Sequence, residues 1–341
     1  MTLFISPSSR PIFNNWLLVP QDSFRFIALK DGRDLTIRST RHVRVVELSG
    51  QNDRGSKKVI EKEVDRVCSE PALTMQEAFS DETCRQNTEF TVPKMHAAML
   101  WRLPVGTRLF AVIGRSPGDA TIKAYEKRAE KARISLAVAK TINVPAAFHA
   151  VRHLQSGRQP PVPHSRTIDE QSTRMAVALA NGMLMQAAIQ VQLQTYNQTI
   201  VELDLGAIVD IRKETGPAVQ AIRAQRNLTL TCNVFIVGRL LNNSGTAGRT
   251  FDDRDIILDN HKDEYSFART LAHEFGHVFE LGHVVNDLSM QKRVGQKGNT
   301  ILYEMPPTQN LMSDGDDIGL NRGQIDRMRK RARHIVQQGK R

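Results

Sequence analysis

Between residues 266 and 280, apolar positions return every three or four residues: Phe267, Leu271, Phe275 and Val278 fall on one side. That period is helical and predicts a helix over 266–280. Residues 168–188 carry a comparable stripe, with Met175, Leu179, Met183 and Ala187 near one face. A closing helix is predicted at 321–338, where Asn321 can cap the first turn and Gln324 stands in the capping-box position. Elsewhere the period is two. Leu230, Cys232, Val234 and Ile236 alternate through 228–240 and predict a strand. Residues 142–151 predict another strand, and 254–258 a short edge strand. The first 140 residues differ. Short apolar stretches at 15–19, 23–29, 35–37, 43–48, 108–113, 120–124 and 133–138 are separated by turn residues. Regularly spaced short strands of this kind predict a β-sandwich. Residues 50–100 are polar and read as an inserted helix and loop. The boundary falls near residue 140, giving domains at 1–140 and 141–341, with the proline-rich 159–164 a loop inside the second.

Composition narrows the classes. A length of 341 residues suits two domains, and 40% hydrophobic residues can build two cores. No run of 18 apolar residues exists, so no membrane span is expected. Residues 1–10 lack a basic start followed by an apolar core, so no conventional secretory signal is expected. Three cysteines do not make a disulfide framework. Cys232 sits in a predicted core strand. Cys68 and Cys84 read as two free thiols, as a pair formed after export, or as a source of one metal-capping thiolate. The net charge of +11 is spread over both halves. Its densest clusters are Lys127-Arg128 with Lys131 and Arg133, and Arg327 with Arg329-Lys330-Arg331 and Arg333. Basic surfaces attract polyanions. Yet aromatics are only 6% and no nucleic-acid motif is present, so solvated helix faces are the expectation and nucleic acid is not an expected partner.

The chemistry concentrates in one stretch, His273-Glu274-Phe275-Gly276-His277-Val278-Phe279-Glu280-Leu281-Gly282-His283. Positions i and i+4 share a helix face, so His273 and His277 point the same way. Glu274 stands one step round, able to reach a metal-bound water without binding the metal. A third histidine six residues on completes the spacing of a three-histidine zinc site with its own general base. Were the helix to continue, His283 would sit about 9 Å further along the axis and roughly 120° away from His277. The chain must therefore leave the helix after His277.

This stretch resembles the metzincin clan of zinc endopeptidases, whose pattern is H-E-x-x-H-x-x-G-x-x-H followed by a tight turn bearing methionine. Asn310-Leu311-Met312-Ser313 is similar to that turn. The resemblance implies Zn2+ held by His273, His277 and His283, Glu274 as general base, and Met312 as a hydrophobic floor beneath the metal. The order of helix, strands, zinc helix, methionine turn and closing helix extends the resemblance over about 143–341. It implies an α+β domain with a mixed twisted sheet. Two positions depart from the pattern. Glu280 replaces the glycine that normally turns the chain, at a cost of roughly 1–2 kcal/mol for a left-handed non-glycine residue. Either Glu280 accepts that conformation or Gly282 carries the turn. Asp314 stands where some subfamilies place a ligating tyrosine. In thermolysin-like zincins the third ligand is a later glutamate, and Glu304 is the nearest candidate, just before Pro306-Pro307.

In the first half, 34–39 and 112–124 resemble the middle and end of a bacterial immunoglobulin-like domain. Such a module implies a surface or partner protein bound by the N-terminal domain, or a shield over the catalytic cleft. The combined expectation is a zinc endopeptidase acting on a protein or peptide. Gly245-Thr246-Ala247-Gly248 and the 254–258 strand resemble the region that pairs with substrate backbone. The absent leader and the bacterial-type module suggest an effector exported by a signal-less route. The alternatives are a zinc hydrolase of cell-wall peptides and a zinc-containing binding protein without turnover.

Overall fold

The computed structural model describes residues 3–5, 12, 15–30, 34–48, 107–154, 162–163, 169–241, 247–252, 254–259, 264–284, 291–294, 300–303, 310–313 and 319–339. The predicted 50–100 insertion, Cys68, Cys84, Glu304 and Asp314 lie outside these residues. The chain is a mixed α/β protein with several sheets, and its described residues contain four α-helices. It divides into two compact units, residues 1–141 and 142–341. No described helix is long and apolar enough to cross a bilayer.

Among the described residues the first unit holds eight strands: β1 (Leu3–Ile5), β2 (Trp16–Pro20), β3 (Phe24–Lys30), β4 (Thr36–Ser39), β5 (Val43–Leu48), β6 (Arg108–Gly114), β7 (Gly118–Glu126) and β8 (Ala129–Ala139). They form two four-stranded sheets, in the orders β1-β3-β6-β5 and β2-β8-β7-β4. Alternation decides which side chains turn inward. Ile27 and Leu29 of β3 and Phe110 and Val112 of β6 share one buried cluster with Ile122 and Ala124 of β7 and Ile134, Leu136 and Val138 of β8.

The second unit contains β9 (Ile142–His153), β10 (Val162–Pro163), helix α1 (Glu170–Leu184), β11 (Ile189–Val201), β12 (Val209–Asp210), helix α2 (Pro217–Arg223), β13 (Cys232–Val237), β14 (Leu240–Leu241), β15 (Gly248–Phe251), β16 (Asp255–Asp259), helix α3 (Glu264–Val278), β17 (Gln291–Val294), β18 (Thr300–Tyr303) and helix α4 (Arg322–Gln338). β11, β9, β13 and β16 run parallel in the main sheet, and β15 closes it antiparallel to β16. The mixed sheet supports α3 beside β15 and β16.

Two local expectations are corrected. The 254–258 segment was expected to be an edge strand, but β16 is interior, hydrogen-bonded to β13 on one side and β15 on the other. Its four buried residues, Asp255 to Leu258, are covered on both faces, which local pattern does not distinguish from a half-buried edge. The strand expected over 228–240 begins only at Cys232. Asn227 Oδ1 accepts from the backbone N and the hydroxyl of Thr229, folding the preceding residues into a turn, and Leu228 is 81% exposed.

The closing helix has its capping box. Asn321 Oδ1 accepts from the Gln324 backbone, and the Gln324 side chain accepts from the Asn321 backbone. Gln324 does more than cap. Its amide pairs reciprocally with that of Asn310, at 2.8 and 3.1 Å. Asn310 Oδ1 also accepts from Met312 N at 2.9 Å. The first turn of α4 thereby anchors the turn at 310–313.

Candidate metal centre

Helix α3 brings His273 and His277 to one face, as the i, i+4 spacing requires. Its end determines where His283 goes. Glu280 has φ +65°, whereas Gly282 does not adopt positive φ. The departing residue itself therefore carries the left-handed turn. The Leu281 amide donates to the Gly276 carbonyl and the Glu280 amide to the His277 carbonyl, both at 2.9 Å. These two bonds form a Schellman motif with Glu280 in the position usually held by glycine. The chain reverses beyond it, and His283 returns to the open side of α3.

The result is a convergence of three imidazoles. His283 Nε2 lies 3.2 Å from His273 Nε2 and 3.2 Å from His277 Nε2. All three ligand nitrogens fall within 4.8 Å of one another. Nitrogens about 2.0–2.1 Å from one tetrahedral ion stand about 3.3 Å apart, so the spacing fits zinc.

The opposite ring nitrogens show which lone pairs are free. His273 Nδ1 lies 2.8 Å from the Leu311 carbonyl, and His277 Nδ1 lies 2.7 Å from the Leu281 carbonyl. A carbonyl only accepts, so both Nδ1 atoms carry the hydrogen. In the neutral rings both Nε2 atoms then present bare lone pairs toward His283. One hydrogen on His283 Nε2 can serve only one of them. A cation satisfies all three. Burial, together with the neighbouring histidines, pulls His273 down to about 3; burial alone is the main cause that takes His277 to about 4. Both rings are therefore neutral, as metal ligation needs.

Glu274 is buried against β15. Burial raises its carboxyl to about 7, against the opposing pull of hydrogen bonds from the Thr250 side chain and backbone and of the Arg249 charge. The Thr250 hydroxyl lies 2.7 Å from Oε2 and 3.0 Å from the Glu274 backbone carbonyl. On the same strand, a Cβ added to Gly248 would come within 3.0 Å of Oε1 and 2.9 Å of Cγ.

Met312 is fully buried, and its sulfur fills the place where a Gly276 Cβ would stand. The turn around it is fastened at successive carbonyls. Leu311 accepts from His273, Met312 accepts from Val284 N at 3.2 Å, and Ser313 accepts from Arg269 at 2.8 Å. The turn thus touches the helix bearing two of the histidines and the residue following the third.

The structure brings together His273, His277 and His283, with Glu274 on the same helix as the first two and Met312 packed against that helix at Gly276. Sequence reasoning missed Thr250, the packing roles of Gly248 and Gly276, and the carbonyls of Leu281 and Leu311. One signal was available. A glycine inside a helix costs roughly 0.5–1 kcal/mol relative to alanine, so Gly276 marks a close approach. Ala247 and Gly248 of the predicted glycine-containing segment are described, and Gly248 begins β15.

No family model and no curated protein matches the chain. Among solved structures, one similar chain comes from "Structure of a chaperone-substrate complex", at 14% identity and a TM-score of 0.35. The match covers 67% of this chain and 43% of that one, so this chain spans less than half of that protein's length. A superposition this loose carries no argument about fold or function.

Proposed function

We propose that this chain is a zinc-dependent endopeptidase whose second unit is a metzincin-like catalytic domain. The observation that carries the reading is the trio of converging Nε2 atoms, two of them held unprotonated by backbone carbonyls across the ring. His273, His277 and His283 would hold the ion. Bound there, zinc would supply a Lewis acid that polarises a peptide carbonyl and makes water nucleophilic near neutral pH.

The chain's own residues supply the proton chemistry. Glu274 accepts a proton from the attacking water and delivers it to the departing amine. A carboxyl near 7 suits both halves of that cycle at neutral pH. Its burial keeps bulk water from competing for the proton. Leu311 and Leu281 hold the His273 and His277 rings in the ligating tautomer. Met312 and Gly276 fix the floor under the helix. The first unit is read as an immunoglobulin-like sandwich, because its two sheets share one apolar cluster.

The test is zinc content together with digestion of an unbiased peptide library by the parent and by Glu274→Ala, with a chelator control. Casein and muropeptides serve as separate substrates. The reading expects one zinc per chain in both proteins and a loss of turnover of about 10²–10⁴-fold in the variant. Equal cleavage by the two proteins would sink it, and cleavage confined to muropeptides would move the substrate to cell-wall peptides.

A further inference from the structure

We infer that strand β15 is built as a cradle for the Glu274 carboxylate, with Thr250 as the positioning residue and Gly248 as the space that positioning needs. This rests on the reading of Glu274 as the proton-transferring group. Two separate observations on one strand lead to it.

The first is the Thr250 hydroxyl. Its single hydrogen faces two acceptors, Oε2 at 2.7 Å and the backbone carbonyl at 3.0 Å, both belonging to Glu274. Whichever acceptor it serves, the hydroxyl stays fastened to the same residue across the strand–helix interface. The Thr250 backbone N–H bonds the same carboxylate, so hydroxyl and amide together hold the group against β15.

The second is the bare Cα of Gly248. Gly248 and Thr250 stand two apart, so they face the same side of β15. A methyl group at 248 would crowd Oε1 and Cγ of Glu274, and it would meet Leu258 Cδ2 at 2.7 Å. Gly248 has no left-handed φ, so backbone freedom does not explain the glycine. Room for the carboxylate and for the Leu258 side chain does. Thr250 and the empty place at 248 therefore hold the carboxylate and leave it room. A carboxylate misplaced by about 1 Å can cost about 10²-fold in rate, which sets the scale of what the cradle protects.

The test compares Thr250→Val, Thr250→Ser and Gly248→Ala in the full chain. For Thr250→Val and Gly248→Ala we expect kcat to fall by about 10–100-fold with KM and zinc content unchanged. Thr250→Ser, which keeps the hydroxyl, is expected to stay within a few-fold of the parent. Parental kcat in Thr250→Val, a loss confined to KM, or a serine variant as poor as the valine would each overturn the inference. A readout without turnover separates this from failure of the enzymatic reading. In metal-free protein, Thr250→Val is expected to lower the urea midpoint more in the parent than in a Glu274→Ala background. Equal losses in the two backgrounds would show no coupling between the side chains and would also overturn it.

Discussion

His277 Nδ1 donates to the backbone carbonyl of Leu281 at 2.7 Å, so one ligand candidate is oriented by the backbone just past the turn that delivers another. Glu280 lies between them at φ +65°. Its conformation sets both the tautomer of His277 and the return of His283. Glu280→Gly removes the steric cost of that conformation, roughly 1–2 kcal/mol, and adds back roughly 0.5–1 kcal/mol of chain entropy. The Arg331 guanidinium 3.4 Å from the Glu280 carboxylate adds little at this exposure. The expected outcome is a gain of about 0.5 kcal/mol in urea unfolding with zinc affinity retained. Glu280→Val, β-branched at a left-handed position, is expected to lose stability and weaken zinc in a competition titration.

The histidine environment gives a pH dependence with a definite sign. His273 and His277 are held at about 3 and about 4, below the ordinary histidine value near 6.5. Between those limits these histidines bind more protons in the unfolded chain than in the folded one. The histidines' contribution to stability of the metal-free protein is therefore complete above about 6.5 and is lost as pH falls from there toward about 3. Glu274, raised to about 7, opposes it above its ordinary value near 4.5, so the net loss is steepest below that value. Urea midpoints measured across that range check it. The slope is expected to flatten in a His273→Phe, His277→Phe double variant. Added zinc is expected to oppose the loss, contributing about 4 kcal/mol at a thousandfold excess over Kd.

The buried Met312 side chain packs against the bare Cα of Gly276 on α3. Gly276→Ala forces the buried Met312 sulfur from its place, because the new methyl group would occupy it. Overpacking of this kind costs typically about 1–3 kcal/mol. Since the same turn holds His273 through Leu311, zinc affinity is expected to fall as well, by about tenfold or more. Denaturation and zinc titration of the same variant check the two effects. A stable variant with parental zinc affinity would contradict the coupling.

The Asn310–Gln324 pair predicts sensitivity far from the histidines in sequence. Gln324→Leu leaves the buried Asn310 amide and the Asn321 backbone N–H without the partners they now have in Gln324. Each of the three lost hydrogen bonds contributes about 0.5–1.5 kcal/mol. A stability loss of about 2–4 kcal/mol is expected, with Asn310 no longer positioning Met312 N. Chemical denaturation measures it, and a loss below about 0.5 kcal/mol would show the network to be dispensable.

The parts of the site legible in sequence are those that depend on local geometry. His273, Glu274 and His277 could be placed together because four helical residues bring a side chain back to the same face. The Asn321–Gln324 cap was readable for the same reason, since its partners lie within one turn. Alternating strands in the first unit were readable because the period of two is a property of extended backbone. The interior place of β16 was not, because covering of a second face depends on which strands pair with it.

What sequence by itself determined here is a helix with two histidines and a glutamate, and a chain that must turn before His283. Tertiary structure decided the rest. It gave the turn to Glu280 rather than Gly282, brought His283 Nε2 to 3.2 Å from both partners, and set the Leu281 and Leu311 carbonyls against the ligand rings. It also laid Gly248 and Thr250 against Glu274. The reason is physical. Backbone carbonyls carry no residue identity, and contacts between a sheet strand and a helix depend on how the two pack, so neither leaves a pattern along the chain.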